Sequence, residues 1–421
     1  MYAWILERAS RQNHLCGSET YLKRLTFDSF RRVTSSGTYI PEIDGLRFIA
    51  IVSVVFLHCY AELINRIAMG TNFGPTHSMN GSIPVVGDGL HGLLRLLGHG
   101  GYGVEIFFVI SGFVLAWPFA RQHLQTGRQI HLSSYFLRRI TRLEPPYILW
   151  LLIRTVLLLA TGIRQSHFLL VHLIASIFYV HNAVFGVASS IEAVSWTLEI
   201  EVQFYCLAPF LTQIYKIPSA WLRRGLLICL IAIATPLQQA FIPEWYGPGN
   251  VGAFYLSILS FIQFFLGGLL VADFYVDGWK RIPTTWRWDV VTLPLWFLAF
   301  WLQPHAFLFV GPIILPILFV GAFKGSFVPR ILRNRFISTG GGMCYSIYLT
   351  HRTSILFFQI LLVRFNLSYL NWLLISLVLV APASIAVGAV YFLLVERPCM
   401  DPRWPQKLIA RFRATHVTAH R

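Results

Sequence analysis

Arg47 and His58 stand in the stretch "PEIDGLRFIAIVSVVFLHCY", residues 41 to 60. A helix turns about 100° per residue, so eleven residues return to within about 20° of the same face and rise about 16 Å. One apolar helix therefore aligns a guanidinium at its boundary with an imidazole deep inside it. Ionisable groups at such depth are costly and face a partner or a cavity. For a lone histidine, a packing hydrogen bond competes evenly with a chemical role. His58 has company, however. Glu105 in "GYGVEIFFVISGF", Glu199 and Glu201 in "SWTLEIEVQFY" and His351 in "CYSIYLTH" fall at similar depth when their segments are read as helices. A carboxylate beside a histidine fixes its tautomer and supports uptake of a proton, which is general-base chemistry. Glu105 is the carboxylate expected to orient His58; structural ion pairing competes for each acidic residue. Arg138, Arg139 and Arg142 precede "LEPPY" at the boundary that also holds Arg47. Guanidinium forks suit phosphate, although a basic loop beside a membrane helix follows from topology alone.

The elements that must position these groups are membrane helices. Of 421 residues, 56% are hydrophobic and 12% charged, against about a quarter charged in soluble domains. The expected fold is all-α and polytopic. About ten spans lie near 46–65, 101–120, 146–163, 196–215, 222–241, 253–275, 288–304, 306–323, 338–362 and 371–395, with a Pro-bearing turn, "WLQPHAF", joining the runs 288–304 and 306–323. A shorter run, 168–182, carries His172 and His181. With that run re-entrant or interfacial, 28 of the 34 lysines and arginines fall on one side, the cytoplasmic side by the positive-inside rule. Both termini then lie inside. The net charge of +16 reads as topology, and no nucleic-acid partner is expected. The segment 131–142 reads as an amphipathic helix on the cytoplasmic face. Residues 1–45 read as a cytoplasmic segment without a signal peptide, 46–396 as one transmembrane domain and 397–421 as a basic cytoplasmic tail. The six cysteines are scattered, so neither a disulfide framework nor a metal site is expected.

These pieces together resemble the acyltransferase 3 family of integral membrane acyltransferases. Arg47 and His58 match its Arg-x10-His, and Gly103 to Phe113 its "GVDLFFVLSGF"-like second span, with Glu105 in place of Asp. Arg138 to Tyr147 match "RRxxRIxPxY", Trp196 to Tyr205 match "WSLSVEEQFY", Cys344 to His351 match "SYSLYLWH", and Val395 to Pro398 match "VExP". Thr197, Glu199 and Val202 depart from the fourth-span motif, where Glu201 aligns with the first Glu. Six elements in one order make the signal specific. The resemblance implies transfer of an acyl group, usually acetyl, from cytoplasmic acyl-CoA to a hydroxyl of a glycan or other cell-envelope acceptor, with a glycan or lipid-linked sugar the expected partner. The chain resembles a stand-alone member without a fused SGNH-type esterase domain.

The reading that combines both arguments is a membrane O-acyltransferase of the bacterial cytoplasmic membrane. His58 acts as general base or transient acyl carrier, with Glu105 orienting it. Arg47, Arg138, Arg139 and Arg142 hold the phosphates of acyl-CoA. Trp196, Glu201, Tyr205, Tyr348 and His351 serve the acceptor or support the site. Acyl-CoA is a substrate, and no permanently bound cofactor or metal is expected. Trp245 and Tyr246, in the Gly/Pro-rich outer loop, could face a sugar, although membrane interfaces attract Trp and Tyr anyway. The rival readings are a transporter using the same polar path, which lacks the paired broken spans of an inverted repeat, and a structural membrane subunit, which needs no aligned ionisable groups. No signature of oligomeric state is present.

Overall fold

The computed structural model describes residues 27–32, 39–68, 91–125, 127, 129–162, 165–241, 255–365, 367–401 and 404. Every regular element among them is helical. The principal helices are α1 (Pro41–Ala68), α2 (Gly103–Leu124), α3 (Leu132–Thr161), α4 (Ser166–Ile177), α5 (Trp196–Leu211), α6 (Ala220–Phe241), α7 (Ile262–Val276), α8 (Arg287–Trp301), α9 (Pro304–Lys324), α10 (Cys344–Leu362) and α11 (Tyr369–Cys399). Among the described residues, six runs are long and apolar enough to cross a bilayer: those of α1, α2 with the short helix before it, α3, α6, α9 and α11. The protein is thus an all-α, multi-pass membrane protein.

The other four expected spans form α5, α7, α8 and α10, of 15 to 19 residues. At 1.5 Å per residue the shortest reach only about 23 Å, less than a hydrocarbon core of about 30 Å. Tighter turns extend two of them, Thr212–Lys216 after α5 and Ile258–Ser260 before α7. The expected hairpin turn falls at Leu302–Gln303, with Pro304 opening α9, where a missing N–H costs nothing. The expected N-terminal segment, the basic tail and the loop holding Trp245 and Tyr246 lie wholly or mostly outside the described residues.

The separate amphipathic helix expected over 131–142 is corrected by the structure. Those residues are the first part of α3, which continues through Pro145 and Pro146. A proline inside a helix leaves the carbonyl four residues earlier without its donor. Here Thr141 O, freed by Pro145, accepts the Trp404 indole N–H at 3.1 Å. In α5, Pro209 likewise frees Tyr205 O, which accepts the Tyr135 hydroxyl at 3.1 Å. Aromatic donors thus replace the lost backbone bonds, and the helices continue.

Close helix crossings depend on glycine. A β-carbon at Gly112 of α2 would stand 2.2 Å from Phe265 O of α7, and one at Gly341 would stand 1.6 Å from Asp44 O of α1. Small residues let helix backbones approach where lipid supplies no hydrophobic drive for association. The run 168–182 becomes α4 and the turn after it. Tyr147 of α3 donates to Ser176 O at 3.1 Å, and His172 and His181 form a buried pair at 2.7 Å. The chain turns back at Tyr179 with φ of 55°, a conformation rare for a bulky side chain. The Tyr179 ring stacks on Tyr147 at 4.9 Å.

Candidate active site

The His58 ring sits on α1 beside His351 of α10. His351 Nε2 lies 3.3 Å from His58 Nδ1, and the rings meet edge to face at 4.9 Å. The tautomers follow from the remaining contacts. His58 Nδ1 is 2.8 Å from Val54 O, and His351 Nδ1 is 2.6 Å from Tyr348 O. Carbonyl oxygens only accept, so in the neutral rings both Nδ1 atoms carry hydrogen. His58 Nδ1–H is shared between Val54 O and the lone pair of His351 Nε2. His58 Nε2 is left as the basic nitrogen, with no partner among the described residues, and the residue is half-buried. His351 is fully buried.

Glu105 meets a different geometry from the one expected. Its side chain is 5% exposed, its Oε2 has no hydrogen-bond partner, and no hydrogen bond joins it to His58. The group on His58 Nδ1 is an imidazole 293 residues away. Tyr348, one turn before His351, braces α10 against α5: its hydroxyl contacts Thr197 Oγ1 at 2.5 Å and Val194 O. Trp196 points elsewhere and packs against Tyr255 and Phe261. Glu199 accepts the Asn182 backbone N–H at 2.8 Å, which ties α5 to the turn after α4.

The basic residues separate into distinct environments. Arg47 pairs with Asp44 at 2.6 Å, and Arg32 approaches the same carboxylate at 3.7 Å. Arg142 faces Glu396 at 3.8 Å, and Glu396 accepts both the backbone N–H and the hydroxyl of Ser346 at 3.2 and 2.6 Å. Glu396 closes a π-helical turn, Phe392–Glu396, of the kind that recurs at functional positions. Arg138 is exposed. Arg139 lies 3.5 Å above the Tyr135 ring and lines a cavity of about 250 Å³ with Glu144, Tyr179, Glu201, Tyr205 and Tyr345. Ser111 donates to Glu201 at 2.8 Å. Tyr345, Tyr348 and His351 follow one another at three-residue intervals on α10, so this helix leads from the cavity to the histidine pair.

The Acyltransferase domain family, acyltransferase 3, matches residues 40–391 of this sequence. The chain belongs to the acyltransferase 3 family. Nodulation protein 10 of Rhizobium leguminosarum bv. viciae is 26% identical over 348 residues, covering 73% of this chain and 84% of that protein. A peptidoglycan O-acetyltransferase of Listeria monocytogenes is 27% identical over 234 residues, covering 52% of this chain and 31% of the other. A Staphylococcus aureus (strain COL) protein is 29% identical over 186 residues, and the match spans only about a quarter (24%) of its length. No solved structure matches.

Within this acyltransferase 3 chain, the six motifs converge on the histidine pair, the arginine-lined cavity and the Asp44 and Glu396 ion pairs. Sequence reasoning did not single out Arg32, Asp44 or Glu396, nor Glu192, whose carboxylate lies 3.3 Å from Arg154 Nε and accepts the Trp150 indole N–H at 2.9 Å. For Asp44 a signal was present: an acidic residue three positions before Arg47 shares its helical face. Glu396 stood in the "VExP" element, but its partners were not readable there. Glu192 lies in irregular chain with no periodicity to mark it.

Proposed function

We propose that this protein is a membrane-embedded O-acyltransferase, with an acyl-CoA, most simply acetyl-CoA, as donor and a hydroxyl of a cell-envelope glycan or lipid-linked sugar as acceptor. The observation that carries this reading is the histidine pair, with His58 Nε2 left as an available base on the helix whose other end holds Arg47. Arg139 at the cavity, together with Arg47, Arg142 and the exposed Arg138, supplies the cationic surroundings for the donor's phosphates. The topology that fits this use has ten crossings, with α4 re-entrant and the arginine-rich end in the cytoplasm of the bacterial inner membrane. Donor and acceptor then reach the histidines from opposite sides.

The reaction follows from the tautomers. The acceptor O–H gives its proton to His58 Nε2 while its oxygen attacks the thioester carbonyl. The carbonyl π pair moves onto oxygen, and collapse of the tetrahedral intermediate expels the CoA thiolate. That thiolate takes the proton from His58, so charge and atoms balance. His351 accepts from His58 Nδ1–H throughout and supports the imidazolium in between, the role first expected of Glu105. Buried Glu105 and the cavity-lining Glu201 and Tyr205 contribute polar groups around the path, and Trp196 and Tyr348 hold the helices that frame it.

The test is turnover of radiolabelled acetyl-CoA by purified protein in lipid nanodiscs, with and without envelope glycans, for wild type and His58→Ala. Acceptor-dependent loss of donor that disappears in His58→Ala supports the reading. Uptake of a glycan precursor into vesicles without donor turnover would assign the protein to the transporter class instead.

A further inference from the structure

A second cavity, of about 520 Å³, lies at the start of α1 and is lined by Arg31, Tyr39, Pro41, Arg333, Arg335 and Ser338. Its volume falls within the range of small-molecule sites, about 300–1,000 Å³. Half of the lining side chains are guanidinium groups, whose forks match phosphate. Glu42 fixes one of them, its Oε1 accepting Arg333 Nε–H at 2.7 Å. Arg31 lies over the Tyr39 ring at 5.5 Å, and flat groups of this kind are surfaces on which a purine stacks. The cavity adjoins the donor arginines. Arg335, Ser338 and Gly342 stand three and four residues apart on the short helix Arg335–Gly342, so they share one face. At Gly342 a β-carbon would stand 3.4 Å from Arg32 Cβ and 3.9 Å from Asp44 Oδ2. Arg32 and Arg47 both approach the other oxygen of that carboxylate, Oδ1, at 3.7 and 2.6 Å. Asp44 is fully buried, and its Oδ2 accepts no hydrogen bond from the described residues. An unsatisfied buried acceptor is costly, and a ligand hydroxyl would satisfy it.

Resting on the acyl-CoA reading above, we propose that this cavity binds the 3′-phosphoadenosine end of the donor. The 3′-phosphate meets Arg31, Arg333 and Arg335, and the base lies against Tyr39 and Arg31. The ribose hydroxyl donates to Asp44 Oδ2, as carboxylates do to ribose in dinucleotide sites. The diphosphate is left to Arg32, Arg47 and the arginines of α3. The nucleotide is thus held by the chain before α1 and the short helix before α10, elements that carry none of the reacting groups. A lipid headgroup offers phosphate as well, but it has neither a purine nor a 3′-phosphate, and this difference sets the test.

The experiment measures binding of acetyl-CoA and of acetyl-dephospho-CoA, which lacks the 3′-phosphate, to purified protein in phosphatidylcholine nanodiscs with and without phosphatidylglycerol. Wild type is expected to bind acetyl-CoA about tenfold more tightly than acetyl-dephospho-CoA, the low end for charge-assisted bonds because these arginines face water. Adenosine 3′,5′-bisphosphate should compete with acetyl-CoA. The double variant Arg31→Gln/Arg335→Gln should lose about tenfold in acetyl-CoA affinity and under about threefold in acetyl-dephospho-CoA affinity on the same scale, so the second donor also reports that the variant is folded. Equal affinity of wild type for the two donors overturns the proposal, whatever the variant does. Equal losses of both donors in the variant overturn it too. So does a variant that keeps acetyl-CoA affinity and instead loses stabilisation by phosphatidylglycerol, which would make the cavity a headgroup site. If wild type turns over acetyl-CoA but binds both donors alike, the acyltransferase reading stands and this one alone falls. If wild type neither binds nor turns over acetyl-CoA, both fall.

Discussion

Replacing His351 by leucine removes the acceptor facing His58 Nδ1–H while filling similar volume. In the resting protein that contact is a long bond, 3.3 Å, shared with Val54 O at 2.8 Å. It gains strength once His58 takes a proton, because the bond is then donated by an imidazolium. Hydrogen bonds to charged groups contribute about 1.5–3 kcal/mol, and at about 1.4 kcal/mol per tenfold the loss is roughly ten- to hundredfold in rate. Val54 O remains as a second acceptor, which places the expected effect near the lower end, about tenfold. Loss of the base itself is expected to cost more, about 10²- to 10⁴-fold. His351→Gln retains an acceptor and should lie between wild type and His351→Leu. The assay is initial-rate turnover of labelled acetyl-CoA in nanodiscs, with folding checked by monodispersity and donor binding. If His351→Leu is as inactive as His58→Ala, His351 is itself a base and the assignment of roles is wrong. If His351→Leu is fully active, the pair is a packing contact.

Arg139→Gln is expected to weaken acetyl-CoA binding roughly ten- to hundredfold through loss of a charge-assisted bond of about 1.5–3 kcal/mol. Arg138→Gln, at an exposed position, should change it under about threefold on the same scale. Equal losses with a thioester lacking the nucleotide phosphates would reject phosphate contact at Arg139. Asp289 accepts the backbone N–H groups of Ser326, Phe327 and Val328 at 2.7, 2.9 and 2.9 Å. Asp289→Ala leaves those donors bare at about 1–3 kcal/mol each where water cannot replace the carboxylate, so the thermal midpoint in detergent should fall by several degrees, and an unchanged midpoint would refute the capping role. Gly341→Ala places a methyl into Asp44 O and should cost about 1–3 kcal/mol or more by overpacking. It should also weaken donor binding by moving the Asp44–Arg47 pair, and unaltered stability would show that the crossing can relax.

Helix periodicity needs only the chain, and it placed Arg47 and His58 on one stripe of α1, the apolar runs and the break between α8 and α9. The motif order likewise led to the family that residues 40–391 match. Contact partners across helices depend on how those helices pack, and one sequence does not encode that locally. So the chain alone could not show that His58 meets His351, that Arg139 turns to the tyrosines while Arg142 turns to Glu396, or that Arg154 meets Glu192. The physical reason is rotation and register. A helix presents each side chain at a fixed angle to its own axis, but the neighbour met there is set by glycine crossings such as Gly341 on Asp44, by π turns such as Phe392–Glu396, and by the irregular chain that carries Glu192. The sequence by itself determined which chemical groups lie on apolar helices. The tertiary structure decided which of them are paired and which are left available to react.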